Sequence, residues 1–322
     1  MITGFIHRFF YFFSLVAAPS LLLVSCSGAQ SAQKADSALP QSLLWKIEHK
    51  DLSEPSYLFG TIHMIPKEDF FLPSGLDEAF SKSQDVVFEI DMDDMSGIGS
   101  LMGMLSNLMM NDGTTLDDLL DKNEYDEVAA FFEDMGLPMF LLSKVKPMFL
   151  SMLAEINMDP AAMQSDDIKS YEMELYEKAQ SGKKVVGGLE TMDYQMSLFD
   201  SIPYKDQALM LLDAVRGTST ESDMFDQTVE LYKTQNIEAM VAMIASAEDG
   251  GSAAYEDVLL KNRNQNWIPV MSKMMATGPV FFAVGAGHLA GDFGVIQLLK
   301  QKGYKLTPLS THQPGAAQKQ RI

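Results

Sequence analysis

Short apolar runs lie near both ends of the chain, and each has the length of a buried β-strand. Such strands are predicted where a few apolar residues, rich in Val, Ile, Phe and Tyr, stand between polar or glycine-containing segments. Six runs fit, at residues 43–47, 57–62, 86–90, 184–189, 280–284 and 304–309. The pattern therefore predicts a sheet built from both ends of the chain.

The middle of the chain has helical periodicity instead. Apolar residues recur at three- and four-residue intervals over residues 116–135, 138–157, 166–180, 190–200, 205–216, 222–234, 237–247 and 255–275. Pro147 is expected to kink or split the second helix, because proline removes a helix hydrogen bond. The whole pattern predicts an α/β fold, with a mixed central sheet and a helical insertion at about 95–181.

A repeated local pattern links the two ends. One strand leads into Gly60-Thr61-Ile62-His63, and another leads into Gly285-Ala286-Gly287-His288. Each is followed by a predicted helix, at 73–83 and at 295–302, and then by a further strand. Chance can produce so few shared features, but we interpret the repeat as a duplication whose halves pair across one sheet.

The first 25 residues have the composition of a secretory signal peptide. They contain no acidic residue, one arginine at position 8, and an apolar stretch at 9–24 that is broken by Ser14, Pro19 and Ser20. A membrane-spanning helix needs about 20 consecutive apolar residues. The stretch is shorter and interrupted, which favours a signal peptide.

The segment Leu23-Val24-Ser25-Cys26 resembles the lipobox of bacterial lipoproteins, in which the cysteine carries lipid chains such as palmitate. Cys26 is the only cysteine, so it cannot form an intrachain disulfide, and acylation accounts for its presence. The alternative is an uncleaved signal anchor with an incidental cysteine. Beyond it we predict a flexible tether at 26–41, a folded domain at 42–311 and a disordered tail at 312–322.

Localisation and charge narrow the range of partners. A lipid anchor at Cys26 places the protein in the cell envelope, and Ser27 in the following position favours the outer membrane, facing the periplasm. The chain has 44 acidic and 24 basic residues, a formal net charge of −20. So acidic a chain disfavours nucleic acids and anionic lipid surfaces as partners.

Two of the five histidines and two acidic residues stand at predicted strand ends. His63 and His288 close the two Gly-x-x-His segments, Glu89 interrupts an apolar strand, and Glu190 follows another. If these strands are parallel, their side chains converge at one edge of the sheet, where open α/β sheets bind ligands. Two imidazoles and one or two carboxylates suit Zn²⁺, Mn²⁺, Co²⁺ or Fe²⁺.

Each of these residues also has a structural alternative. Glu89 could form a salt bridge with a neighbouring Arg or Lys, and Glu190 could be an acid at a helix N-terminus. Arg263 and Asn264 could belong to a solvated helix face, or they could donate hydrogen bonds to an anionic intermediate. The methionine-rich segment at 92–110 could pack in a core, form a lid or peptide groove, or bind copper.

An ordered set of segments resembles the TraB/GumN family, which is similar to the Tiki metalloproteases. The segments are Leu44-Trp45-Lys46-Ile47, Leu58-Phe59-Gly60-Thr61-Ile62-His63, Phe88-Glu89, Gly188-Leu189-Glu190-Thr191, Arg263-Asn264 with Trp267, and Val284-Gly285-Ala286-Gly287-His288-Leu289. They extend over residues 43–309. The resemblance implies an α/β fold with paired Gly-x-x-His motifs, and metal-dependent peptide hydrolysis in the Tiki branch.

We therefore predict a metal-dependent hydrolase of a peptide or protein substrate, using Mn, Co or Zn. His63 and His288 would be metal ligands, and Glu89 would be a ligand or the general base. Glu190 would orient a ligand or share the metal, and Arg263 would stabilise developing negative charge. The alternative is a non-catalytic envelope lipoprotein that binds haem, iron or a partner.

Overall fold

A computed structural model describes residues 39–92, 103, 106–155, 168–217, 221–245, 255 and 257–309. The predicted signal peptide, Cys26 and most of the tether lie outside the described residues. So do most of the methionine-rich segment and the C-terminal tail. Residues 39–41 of the predicted tether are described, and Leu39 packs against the core of the sheet.

A six-stranded mixed sheet forms the centre of the fold and confirms the predicted α/β class. Its strands are β1 (Leu44–Glu48), β2 (Ser56–Thr61), β4 (Asp85–Ile90), β6 (Val185–Glu190), β7 (Val280–Gly285) and β8 (Lys305–Pro308). Their order across the sheet is β6-β4-β7-β2-β1-β8. The four strands β6, β4, β7 and β2 are parallel neighbours, while β1 pairs antiparallel with β2 and β8.

The helices follow the predicted order but are more divided. They are α1 (Leu76–Lys82), α2 (Leu116–Leu119), α3 (Lys122–Asp134), α4 (Met139–Leu142), α5 (Pro147–Glu155), α6 (Tyr171–Ser181), α7 (Met192–Leu198), α8 (Tyr204–Arg216), α9 (Glu221–Lys233), α10 (Ile237–Ala245), α11 (Asn262–Met275) and α12 (Val295–Gln301). None of the helices in the described residues is long and apolar enough to cross a bilayer.

Three predicted helices were too long, each for a local reason. The helix predicted at 116–135 is two helices, because Asp121 caps α3 by accepting hydrogen bonds from the N–H groups of Asn123 and Glu124. Pro147 splits the next one, as expected, by standing at the start of α5. The helix predicted at 255–275 is α-helical only from Asn262, and a π-helical turn, Asp257–Lys261, precedes it.

A second sheet of two short strands was not predicted. Strand β3 (Ile65–Pro66) pairs antiparallel with β5 (Ile168–Lys169). The helix predicted at 166–180 starts later than expected, because α6 begins only after Ser170, whose hydroxyl accepts a hydrogen bond from the N–H of Met173. A two-residue strand is too short to show apolar periodicity in the sequence. It can be recognised only from its hydrogen bonds to the partner strand. The pairing joins the end of the helical insertion to the loop that carries His63.

The two strand–helix–strand units cross the sheet in opposite directions. The path from β2 to β4 passes β7 by way of α1, and the path from β7 to β8 passes β2 and β1 by way of α12. Because such crossovers are right-handed, opposite directions place the two helices on opposite faces. On the first face Phe80 of α1 packs edge-on against Phe281 of β7, with ring centroids 5.3 Å apart.

The helices between β4 and β6 share a second hydrophobic core with α8, which follows β6. Leu116 of α2, Val128 and Phe132 of α3, Leu150 of α5 and Leu211 of α8 are all fully buried in it. This second core is separate from the core of the sheet, and it joins the helices inserted between β4 and β6 to α8. The sheet core contains the aromatic residues of β2 and β7 instead.

Gly60 allows the two Gly-x-x-His segments to pack closely. A Cβ atom at this position would lie 2.9 Å from Leu289 Cδ2 and 3.1 Å from Ala286 Cα, which belong to the segment after β7. The carbonyl of Gly60 also accepts a hydrogen bond of 2.9 Å from the buried Tyr232 hydroxyl. The first glycine is therefore required by the close approach of the second motif.

We predict that Gly60→Ala lowers the free energy of unfolding by about 1–3 kcal/mol, the usual cost of overfilling a packed core. Gly187→Ala is the matched control, since it is also in a strand and its added Cβ would be 3.9 Å from the nearest atom, Val87 Cγ2. Urea denaturation of both variants measures the difference. If the two variants unfolded with equal free energies, the close approach of Ala286 and Leu289 to Gly60 would not require a glycine there.

Candidate metal and catalytic site

A buried arginine joins two carboxylates at the carboxyl ends of neighbouring parallel strands. Arg263 Nη2 lies 2.6 Å from Glu89 Oε2 and 2.6 Å from Glu190 Oε1. Glu89 belongs to β4, and Glu190 ends β6. All three side chains are less than 12 % exposed. The salt-bridge interpretation of Glu89 is therefore confirmed, and the solvated-face interpretation of Arg263 is wrong.

Every N–H group of the Arg263 guanidinium has a partner. Nε donates to Glu190 Oε1 at 2.9 Å, and Nη2 donates to both carboxylates. Nη1 donates to the carbonyl of Leu259 at 3.1 Å and approaches His288 Nε2 at 3.2 Å. The guanidinium carbon also lies 5.0 Å from the centre of the Trp267 ring. Arg263 thus organises this cluster, and stabilising a new anion would require it to exchange one of these partners.

Trp267 and Asn264 extend the cluster along the first turns of α11. The Trp267 indole N–H donates to Glu190 Oε2 at 2.9 Å, which fixes the second oxygen of that carboxylate. Asn264 is 2 % exposed, and its amide nitrogen donates to the carbonyls of His288 and Phe293. These two bonds orient the amide, so its oxygen faces the imidazole of His288.

His288 lies in a short 3-10 turn, Ala286–His288, after β7 and is 5 % exposed. Its Nδ1 is 2.6 Å from the amide oxygen of Asn264. Since that oxygen can only accept, Nδ1 carries the hydrogen and Nε2 carries the lone pair. Nε2 faces Glu89 Oε1 at 3.6 Å. Asn264 thereby fixes the tautomer and the direction of the His288 ring.

The protonation states of this pair suit coordination of a cation. Burial lowers the pKa of His288 to about 3, despite the opposing effect of Glu89, so the imidazole is neutral at ordinary pH. Burial would raise the pKa of Glu89, but nearby positive charge and the N–H of Gly285 hold it well below its usual range. The N–H of Gly285 donates to Glu89 Oε1 at 2.8 Å.

His63 has a different environment from His288, although the two local sequences match. Its side chain is 74 % exposed, and Nδ1 lies 3.2 Å from Glu172 Oε1 at the start of α6. The hydrogen bond to Glu172 raises the pKa of His63 to about 9. Glu89 and Arg263 also affect that pKa, so His63 lies close enough to the buried cluster to interact with its charges. The sequence predicted two equivalent histidines, whereas only His288 belongs to the buried cluster.

Sequence reasoning missed two polar residues of this region. Gln195 in α7 donates from its amide to Glu89 Oε2 at 3.1 Å. Glu172 contacts His63 and also accepts a hydrogen bond of 2.7 Å from the Thr61 hydroxyl. Neither stands in a recognisable motif or inside an apolar run. Gln195 lies in α7, which begins directly after β6, and Glu172 lies in α6, which begins directly after β5. The position of each side chain therefore depends on how these helices pack, which no local signal reveals.

The donors near His288 fit a first-row divalent metal in part. A neutral imidazole nitrogen and an ionised carboxylate oxygen are suitable ligands. Glu89, Glu190 and Arg263, with a neutral His288, together carry one uncompensated negative charge, which favours a cation. Among the described residues, no three His, Cys, Asp or Glu side chains are grouped as a metal site. Two of the predicted ligands are thus together, and His63 is engaged with Glu172.

Comparison with known proteins agrees with the fold and with the ordered motifs. The model of the TraB/PrgY/gumN family matches residues 43–308. The chain belongs to the TraB/PrgY/gumN family. Among its relatives, Metalloprotease TIKI1 of Danio rerio is 22% identical over 85% of this chain and 64% of its own length. Metalloprotease TIKI2 of the same species is 21% identical over 88% and 65%.

Metalloprotease TIKI1 of Homo sapiens is 23% identical to this family member over 82% of the chain and 61% of its own length. The chain therefore spans less than two thirds of the length of each of these relatives. No solved structure matches it significantly. The matches establish the family, and they are too distant to transfer a substrate or a metal by identity alone.

The two histidines predict separate pH windows for the stability of the metal-free protein. His288 has a lowered pKa, so its contribution is present above about 6.5 and is lost as pH falls toward 3. His63 has a raised pKa, so its contribution is present below about 6.5 and is lost as pH rises through 9. Between pH 6.5 and 5, the His288 contribution falls with a slope approaching about 1.4 kcal/mol per pH unit.

Urea denaturation from pH 5 to 9.5 tests both windows. His288→Asn should flatten the dependence below pH 6.5, and His63→Asn should flatten it above pH 6.5. The His63 effect should be the smaller of the two, because solvent screens an exposed pair. Each variant is the control for the other, and identical profiles for both would contradict the assigned environments.

Proposed function

We propose that this chain is a metal-dependent hydrolase of peptide bonds that acts on a peptide or protein substrate. His288, Glu89 and His63 would hold a divalent Mn, Co or Zn ion. The observation that carries the proposal is the pair formed by His288 Nε2 and Glu89 Oε1, 3.6 Å apart at the carboxyl ends of parallel strands. Open α/β sheets bind their ligands at this edge.

The metal, when bound, would lower the pKa of a water molecule and polarise the substrate carbonyl. The residues of the chain prepare the site for that chemistry. Asn264 holds the His288 ring by Nδ1, and Gly285 holds Glu89 Oε1 by its backbone N–H. Arg263 pairs with both carboxylates and offsets one negative charge, which lowers the cost of burying them.

The surroundings of Glu89 favour the ligand role over the general-base role. A carboxylate whose pKa is well below its usual range accepts a proton poorly at neutral pH. Glu89 Oε2 is also occupied by Arg263 and Gln195, which leaves Oε1 directed toward His288. We propose that Glu190 and Arg263 position the ligands, and that anion stabilisation by Arg263 depends on its exchanging a partner.

A cavity of about 280 Å³ beside the His288 turn offers space for a substrate side chain. Its lining includes Asn264 and Gly287 of the site region and the apolar side chains of Val241, Leu260 and Phe293. The haem alternative receives less support, because the immediate surroundings of His288 Nε2 are the charged groups of Arg263 and Glu89 rather than apolar side chains. A metal ion at Nε2 would replace the contact with Arg263 Nη1.

Metal binding and turnover can be tested on the same set of variants. His288→Ala and Glu89→Gln should each weaken Mn²⁺, Co²⁺ or Zn²⁺ binding, measured by calorimetry, by at least about tenfold, and should abolish cleavage of a peptide library. His49→Ala is the control, because His49 stacks on Tyr304, outside the site. Circular dichroism must confirm that the variants fold, since Glu89→Gln breaks a buried ion pair at a cost of about 3–5 kcal/mol.

The results separate the two roles of Glu89. Weakened metal binding together with lost cleavage supports the ligand role. Normal metal affinity with lost cleavage would identify Glu89 as the general base. Cleavage that survives complete removal of metal by a chelator would overturn the proposal.

We further propose that the protein is a lipoprotein of the cell envelope, anchored through Cys26 in the outer membrane and facing the periplasm. The support is the lipobox-like sequence that ends at the only cysteine. Cys26→Ala should abolish labelling by a radioactive fatty acid and should release the protein from the membrane fraction. Cys26→Ala protein that is still labelled would contradict the assignment, and Ser27→Ala is the matched control that should stay labelled.

A further inference from the structure

Glu172 is the only acidic residue that an ion pair joins to His63 in the described part of the chain. Its Oε1 lies 3.2 Å from His63 Nδ1 and accepts a hydrogen bond of 2.7 Å from the Thr61 hydroxyl. Its Oε2 accepts a hydrogen bond of 3.1 Å from the Ser170 hydroxyl. The carboxylate is 18 % exposed, whereas the imidazole is 74 % exposed. The largely buried carboxylate of Glu172 therefore holds the exposed imidazole of His63 in place.

The backbone also fixes Glu172 beside His63. The β3–β5 ladder pairs Ile65, two residues after His63, with Lys169, three residues before Glu172. Ser170 then caps α6, so Glu172 stands in the first turn of a helix whose start is tied to the His63 loop. Tyr171, between Ser170 and Glu172, is fully buried and packs against Phe59 of β2, with ring centroids 5.8 Å apart. Three independent contacts thus set the distance between Glu172 and His63.

The chemistry of the contact determines which ring nitrogen is available. An ionised carboxylate can only accept hydrogen bonds, so in the neutral ring the hydrogen lies on Nδ1 and Nε2 carries the lone pair. Asn264 does the same for His288 through its amide oxygen. The two histidines therefore have different partners but present the same nitrogen. Metal-binding histidines in proteins commonly have such a partner on the other nitrogen.

We propose that Glu172 is a positioning residue, which holds the His63 ring by Nδ1 so that Nε2 serves as the ligand nitrogen. The proposal rests on the proposed metal-dependent function. It assigns a role in the site to the end of the helical insertion, because β5 and α6 carry this carboxylate. The end of the helical insertion thus contributes to the surroundings of His63, through the β3–β5 pairing and the carboxylate of Glu172.

Glu172→Ala and Glu174→Ala form a matched pair for the test. Both remove a carboxylate from the first turn of α6 and lose the same favourable interaction with the helix N-terminus. Glu174 pairs with Lys169 rather than with His63. Mn²⁺ affinity, measured by calorimetry, should fall by about 10–100-fold in Glu172→Ala, the usual effect of removing such a partner. It should stay at the wild-type value in Glu174→Ala. Glu172→Ala should have the lower melting temperature of the two, because it also removes the acceptor of the Thr61 hydroxyl, so the affinities are compared at a temperature at which both variants are folded.

Two further measurements separate positioning from a general loss of structure. Glu172→Gln keeps an acceptor oxygen and should retain most of the affinity that Glu172→Ala loses. Long-range ¹H–¹⁵N spectra of the metal-free protein, recorded at pH 10 where the ring is neutral, report the His63 tautomer. The wild type and Glu174→Ala should have the hydrogen on Nδ1, and Glu172→Ala should shift the population toward the Nε2–H form.

The outcomes distinguish this proposal from the proposed function. A wild-type protein that binds no divalent metal defeats the proposed function, and with it the ligand role of His63. A wild type that binds Mn²⁺ while Glu172→Ala binds it equally well leaves the proposed function intact and overturns the role of Glu172. An unchanged His63 tautomer in Glu172→Ala overturns it as well, whatever the metal affinity.

Discussion

The pairing of one arginine with two buried carboxylates is the constraint on which the site depends. Strands β4 and β6 are neighbours in a parallel sheet, and each brings a glutamate to the same edge. Two carboxylates without a cation would cost several kcal/mol to bury. Arg263 removes most of that cost, but only if α11 lies across the strand ends. The position of α11 in turn places Asn264 and Trp267, and Asn264 orients His288.

The two Gly-x-x-His segments are interlocked, yet they are not equivalent. Gly60 leaves the space that Ala286 and Leu289 occupy, so the second segment packs directly on the strand of the first. The second segment then lies under α11, which buries His288. The first continues into the β3–β5 ladder at the surface, which leaves His63 exposed. The two copies of the motif thus lie in different environments. The pKa of the exposed His63 is raised, and the pKa of the buried His288 is lowered.

The cluster around Arg263 carries a net negative charge. One guanidinium offsets one of two carboxylate charges, and a neutral imidazole adds a lone pair without adding charge. A site of this kind attracts a cation and provides both nitrogen and oxygen donors for it. The relatives named metalloproteases are distant, and they are longer than this chain. The case for hydrolysis therefore rests on the geometry around Glu89 and His288 as much as on the family.

Sequence alone determined the fold class and the strands that carry the site. Apolar runs such as 280–284 predict buried strands, and the ionisable residues Glu89, Glu190 and His288 in or next to such runs indicate a functional edge of the sheet. Those signals are local, because side-chain polarity and chain periodicity are properties of a few consecutive residues. Arg263 and Asn264 were also visible as polar residues in a motif, although not as buried ones.

Tertiary structure alone decided which partners these residues have. Arg263 contacts Glu89, 174 residues away, and His63 contacts Glu172, 109 residues away. No local sequence signal in one member of a pair identifies the other member. The different exposure of His63 and His288 is also not visible in the Gly-x-x-His pattern that the two segments share. It follows from the order of the strands and from the helix that covers only one of the two turns. Proximity in the folded chain, rather than residue type, sets the charge state of each histidine.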